Sequence, residues 1–397
     1  MALGNLGRSP DQPQKGFLAK NMITKVELNN YRCFNNFSID KITPITLISG
    51  LNNVGKSALL ESIFLFYARN SSDVFFKLNK FRQIPPLFHP SQFNGSWLPP
   101  KSSPKWLTPN WLWGHFFSNM NLDNDIKIII YENNNKQSLI LSKVHLSSIY
   151  FVLDILPPDI FDLKNPNLIT DLMENTLLIN FKNQKNSDKF YYLLYDNDIH
   201  RFPASKKNIV DTFIQYLSNN IYVQQGKLAE YFTILDFNGN KYKLINILKS
   251  IEPSIKDVAA IMMRGFNSIF IDIGLPTKLP LNYFGYGINK LTQIALTMLS
   301  NPRALLLIDA IDEGFHFEFL PKLWEIIGDL AWETNSQVLA TTHNLECLKS
   351  SKVLISDKFP SKLFSYIRLD NIKNTIKPIL FSNEEFKYAI ENNIELR

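Results

Sequence analysis

Ile45-Thr46-Leu47-Ile48-Ser49-Gly50-Leu51-Asn52-Asn53-Val54-Gly55-Lys56-Ser57-Ala58-Leu59-Leu60 joins a short apolar run, a loop bounded by two glycines and a segment rich in helix formers. The run Ile45 to Ser49 has the pattern of a buried strand, and Ala58 to Arg69 carries a helical apolar face. Between them, Gly50 to Ser57 fits the spacing GxxxxGK[S/T]. The glycines let the backbone curl so that its N–H groups face phosphate oxygens at the positive end of the following helix. Lys56 would then contact β- and γ-phosphates, and the Ser57 hydroxyl would ligate Mg²⁺. The bland alternative, a glycine turn followed by a surface Lys-Ser, does not account for the strand-loop-helix setting. Gly50, Asn52, Asn53, Val54, Gly55, Lys56 and Ser57 are therefore the candidate nucleotide-binding residues.

Working outward, Ala304-Leu305-Leu306-Leu307-Ile308-Asp309 is a second apolar strand closed by an acid, the Walker B pattern. Asp309 would hold Mg²⁺ opposite Ser57, directly or through water. In hydrolytic ATPases of this type the next residue is usually a glutamate that polarises the attacking water. Here it is Ala310, which can neither accept a proton nor orient water. Val338-Leu339-Ala340-Thr341-Thr342-His343 is a third strand, ending in a polar turn. Its place after the acid-tipped strand makes His343 a candidate γ-phosphate switch. The remaining histidines form no metal-ligand spacing with one another or with either cysteine, which argues against zinc.

The chain has 397 residues, 45% hydrophobic and 20% charged. That suffices for two or three units of about 150 residues and excludes a mini-protein, a collagen-like repeat and a wholly disordered chain. Net charge is +6, and Lys and Arg are scattered, so the charge permits nucleic acid as a partner without arguing for it. Cys33 and Cys347 cannot build a disulfide framework, and a reduced, cytoplasmic setting is the plain reading. No apolar run approaches the roughly 20 residues of a membrane helix. Residues 1–21 lack an apolar signal core and read as a disordered leader or an expression remnant.

Ile23 to Leu28 and Phe37 to Ile39 read as a strand and its hairpin partner. The middle of the chain opens with proline-rich text and continues with strand-like segments at Lys127 to Tyr131, Ser138 to Leu141, Leu177 to Phe181 and Phe190 to Leu194. Helices are expected over Asp211 to Leu217, Lys227 to Leu235, Ile245 to Ile251, Ile255 to Met263, Leu291 to Leu299, Leu320 to Ala331 and Asn383 to Glu391. No fixed-period repeat or sustained heptad is present. Trp106, Trp111, Trp113, Phe116 and Phe117 read as core and not as a base-stacking platform, since no Lys or Arg is interleaved between the closest of them.

The motif order resembles ABC-type ATPase heads of the structural-maintenance-of-chromosomes (SMC) and overcoming-lysogenization-defect (OLD) kind. Leu28-Asn29-Asn30-Tyr31-Arg32-Cys33-Phe34 is similar to their "NFRxF" strand, Leu306 to His316 to their "LLIDEIDxGxH" box, and Thr341-Thr342-His343-Asn344 to their "TTHS". The stretch Tyr388 to Arg397 is similar to the tail of stand-alone bacterial members. The likeness covers about 22–70 and 256–397. It implies an α/β P-loop NTPase, an ABC-type ATPase head with a mixed sheet, discontinuous over those two stretches. Residues 71–255 would form a large inserted α+β lobe for partner recognition and oligomerisation.

The resemblance also implies ATP and Mg²⁺ as cofactors. It makes Asn282 to Gly287 the signature loop that caps the γ-phosphate of a partner subunit, with Gly285 and Gly287 as its glycines. Tyr283 or Phe284 stands where the family usually has a serine. Gln83 becomes a candidate Mg²⁺-sensing glutamine, and a surface-loop glutamine is the equal alternative. The stretch from Asn344 to Arg397 is too short for the Toprim nuclease domain that OLD nucleases append. The implied function is an ATP-binding sensor or scaffold of a bacterial anti-phage defence system. It would form a homodimer or higher oligomer and control a separate effector such as a Toprim-like nuclease, with DNA not required. The second reading is a DNA-binding repair or chromosome-maintenance ATPase, and the third a nuclease in its own right. Ala310 implies feeble hydrolysis, whether a glutamate was replaced there to trap ATP or the protein naturally holds ATP.

Overall fold

The computed structural model describes residues 22–71, 74–82, 113–146, 168–195, 198–203, 212–218 and 223–396. In chain order the first elements are β1 (Ile23–Tyr31), β2 (Phe34–Ile39), β3 (Ile45–Gly50), α1 (Lys56–Ala68) and α2 (Val74–Phe81). The middle holds β4 (Ile126–Glu132), β5 (Asn135–Lys143), α3 (Leu168–Asn175), β6 (Thr176–Lys182), β7 (Ser187–Tyr195), β8 (Asp198–Pro203) and β9 (Ile214–Leu217). Then come α4 (Gln225–Phe237), α5 (Lys241–Lys249), β10 (Asp257–Met263), β11 (Phe266–Asp272), β12 (Leu279–Pro280) and α6 (Tyr286–Ser300). The last are β13 (Leu305–Ile308), α7 (Leu320–Thr334), β14 (Gln337–Thr341), α8 (Leu345–Ser350), β15 (Phe364–Ile372), β16 (Thr375–Phe381) and α9 (Asn383–Glu391).

β3 is buried at every residue because it lies inside a six-stranded sheet of order β16-β15-β3-β14-β13-β9. All pairs in this sheet are parallel except β15 with β16. Strands covered on both faces need side chains that bury either way, which is why Leu305 to Ile308 is uninterrupted aliphatic text. Leu305, Leu307, Leu339 and Ile48 face one core, which also holds α1. Leu306, Ile308, Val338 and Leu47 face the other, with α4, α6 and α7. Beyond α1 lies a seven-stranded antiparallel sheet of order β2-β1-β4-β5-β6-β7-β8. This is a mixed α/β P-loop architecture in layers.

Residues 126–217 hydrogen-bond into both large sheets: β4 pairs with β1, and β9 forms the edge beside β13. Trp113, Phe116 and Phe117 are buried, the first two edge-on to Phe75, whereas Trp106 and Trp111 fall outside the described residues. Two expected helices are strands. Within 211–217 the chain forms β9, because Ile214 to Leu217 align residue for residue with Leu305 to Ile308. Within 255–263 it forms β10, folded onto β11 through a turn at Arg264 (φ 51°) and Gly265 (φ 84°). Two successive positive φ values suit the right-handed twist of a hairpin. Among the described residues no helix is long and apolar enough to cross a membrane.

Candidate functional site

Parallel strands bring their carboxyl ends to one edge, and that edge is where α/β sheets bind ligands. Here the ends of β3, β14 and β13 are neighbours, in the register Ile48 with Thr341 and Ala340 with Ile308. Gly50, Asp309 and the turn Thr341 to His343 therefore share one rim.

The loop after β3 needs its glycines. Gly50 (φ 136°) lies so close to the Leu369 carbonyl and the Val54 side chain that a methyl group would collide with both. Gly55 (φ 87°) caps α1 in the left-handed region, and a methyl there would stand 2.7 Å from the Cys33 sulfur and the Phe34 ring. Asn53 (φ 65°) is the third left-handed residue, a conformation asparagine tolerates. Val54 is buried and anchors the loop, while Asn52 and Asn53 are exposed. Lys56 and Ser57 stand in the first turn of α1. The Lys56 ammonium donates to the carbonyls of Gly50 (2.7 Å) and Leu51 (2.8 Å), curling back over its own loop. Burial lowers its pKa, and the charge of Asp309 opposes that shift, so the two face each other across the rim.

Asp309 is held on both carboxylate oxygens. Thr341 Oγ1 donates to Oδ1 at 2.5 Å, and Tyr216 Oη approaches Oδ2 at 3.4 Å. Tyr216 comes from β9 and stacks on Phe81 at the end of α2 (centroids 4.2 Å apart, 10° between planes). Ala310 adopts φ 48°, with its N–H donating to Thr341 Oγ1 at 2.9 Å. Asp312 accepts from Thr342 Oγ1 at 2.6 Å. His343 is exposed at the end of the β14 turn. Nearby, burial raises the carboxyl pKa of Glu313, and the charge of Lys290 opposes the rise.

Gly285 caps α6 and is exposed, whereas Gly287 is buried against the Walker B turn. A methyl at Gly287 would lie 2.5 Å from the Gly314 carbonyl. Asn289 fixes the loop by donating to the carbonyls of Leu281, Phe284 and Gly285 at 2.9–3.2 Å. Beside it lies a cavity of about 520 Å³, lined by Val223, Gln224, Gln225, Asn282, Phe284 and Tyr286 among others. Gln83 lies outside the described residues.

The oxygen donors Ser57 and Asp309 suit a hard cation such as Mg²⁺. The glycine cradle with a desolvated lysine suits a polyphosphate, so the residues present fit Mg²⁺–nucleotide.

Residues 45–348 match the model of a family described as "AAA domain, putative AbiEii toxin, Type IV TA system". The chain belongs to this family. The match spans the phosphate loop, the acid-tipped strand and the histidine turn of this AAA domain, and by family it is a nucleotide-binding ATPase. An "ATP/GTP phosphatase" of Helicobacter pylori (strain ATCC 700392 / 26695) is 22% identical over 391 residues, 94% of this chain and 100% of that protein. The DNA replication and repair protein RecF of Acholeplasma laidlawii is 46% identical over 43 residues, 11% of this chain and 12% of that one. Among solved structures, an SMC head bound to the C-winged helix domain of ScpA aligns over 92% of this chain and 99% of its own, at 11% identity and TM-score 0.46. The SMC head domain from Thermotoga maritima aligns over 90% and 98%, at 11% identity and TM-score 0.39. At such scores the fold assignment rests on the strand order and phosphate loop of this AAA domain itself.

Proposed function

We propose that this AAA-domain protein is the ATP-holding sensor or scaffold of a bacterial anti-phage defence system, of the OLD-like type. It assembles as a homodimer or higher oligomer around ATP and controls a separate effector, such as a Toprim-like nuclease. The observation that carries the reading is a preorganised phosphate site whose water-polarising position holds only a methyl group, at Ala310. Gly50 to Ser57 would bind the phosphates, and Ser57 and Asp309 would hold Mg²⁺, with Gln83 as its sensor. Bound Mg²⁺ would supply charge neutralisation at the β- and γ-oxygens. His343 would read the γ-phosphate, and the exposed Gly285 end of α6 would meet the nucleotide of a second copy. Residues 22–70 and 256–397 would supply most of this head, with β9 as an edge strand of its sheet, and the rest of 71–255 the recognition surface.

Co-purification of the chain from its host tests the effector. A stoichiometric partner that stays bound with ATP supports the reading, and a chain that is always recovered alone counts against it. The 43-residue likeness to a RecF protein favours one alternative, a DNA-repair ATPase. That alternative predicts DNA affinity falling steeply as salt rises. Absent or salt-insensitive binding in a filter titration contradicts it.

A further inference from the structure

A buried ammonium group joins the two halves of the site. Lys290, in the second turn of α6, is only 3% exposed. Its Nζ donates to the Ala310 carbonyl at 2.6 Å and to the Glu313 carbonyl at 3.3 Å. Residue 310 is thereby held from both sides, its N–H by Thr341 of β14 and its carbonyl by Lys290 of α6. The hold matters because Ala310 has φ 48°, a left-handed conformation that a non-glycine residue keeps only when its surroundings impose it.

The contact between the two elements leaves no slack. Gly287 approaches the Gly314 carbonyl too closely for a methyl group, and the Tyr286 ring fills the place where a Gly314 side chain would stand. A shift in the first turn of α6 must therefore move the 310–314 turn as well. We propose that Lys290 is a positioning residue that ties the glycine-bearing loop 282–287 to the backbone of residue 310, so that whatever engages the loop sets the geometry at the water-polarising position. The inference rests on the nucleotide-binding reading above and adds the element by which a partner copy governs hydrolysis.

Hydrogen–deuterium exchange on the chain as it stands, with and without ATP and Mg²⁺, tests it without requiring turnover. In the unaltered protein, nucleotide slows exchange at 50–57 and at 310–316. In Lys290→Met, protection at 50–57 persists while the response at 310–316 falls by about tenfold or more. Lys290→Gln, which keeps a donor without the charge, retains part of the response and serves in place of Lys290→Met if that variant does not fold. An undiminished response at 310–316 in Lys290→Met or Lys290→Gln overturns the proposal. So does full retention by Lys290→Arg with complete loss in Lys290→Gln, which would make the lysine a counter-ion only. Absence of protection at 50–57 in the unaltered chain would overturn the nucleotide reading, and this inference with it.

Discussion

On the reading proposed above, Ala310 puts one methyl group where a carboxylate would polarise the attacking water. Positioned general bases contribute about 10²–10⁴-fold, so Ala310→Glu should raise the steady-state phosphate release of this chain by at least about 100-fold. A rise of less than about threefold would mean that another residue supplies the base. Lys56 makes the complementary prediction. Its ammonium bonds to loop carbonyls and not to the core, so Lys56→Ala should cost about 100-fold in ATP affinity with little change in melting temperature. Lys290 is readable through pH. Burial holds its pKa down to about 8, against the pull of Glu313, Asp312 and Asp309. Between about 8 and 10.5 the unfolded chain therefore binds a proton that the folded chain does not, and the stability contributed by this group grows as pH rises through that window. Urea titrations of the unaltered chain and of Lys290→Met should diverge by on the order of 3 kcal/mol across it.

At the level of elements, the site hangs on pairings between distant segments. Glu61 of α1, 1% exposed, accepts from Arg82 beyond α2 at 3.0–3.2 Å and pairs with Arg32 of the β1–β2 turn at 3.0 Å. Removing one partner of a buried pair leaves an uncompensated charge, so Glu61→Gln should cost about 3 kcal/mol in denaturant unfolding. The lower end of the usual range applies because the Arg82 side chain is partly exposed and can turn to water.

Such pairings also mark what was legible in the sequence. The phosphate loop, the acid-tipped strand and the Thr-Thr-His turn are contiguous motifs, each fixed by residues within about one turn of each other, so their elements could be placed before the structure. Tyr216 and Lys290 belong to no motif. β9 carries only four residues, and its strand character comes from pairing with β13, where each partner lies 91 positions further along the chain, as in Leu217 with Ile308. Lys290 reads as an ordinary helix lysine until α6 is docked on the 310–314 turn. The β10–β11 hairpin was masked by the alanines of β10. Its surest local sign was the Arg264-Gly265 pair, a turn signal inside what read as helix text.

The whole molecule is a layered scaffold that presents one rim. Behind the rim, the six-stranded sheet is sandwiched between α1 with the antiparallel sheet and the α4–α7 helices. Gly285 is exposed while Gly287 packs on the Walker B turn, an arrangement that leaves the loop open to a second copy. The most direct test is the mass of the chain by light scattering with and without ATP and Mg²⁺, with Lys56→Ala as control. The account predicts a shift from monomer to dimer or larger that needs both ATP and Lys56. A mass that nucleotide does not change would contradict it.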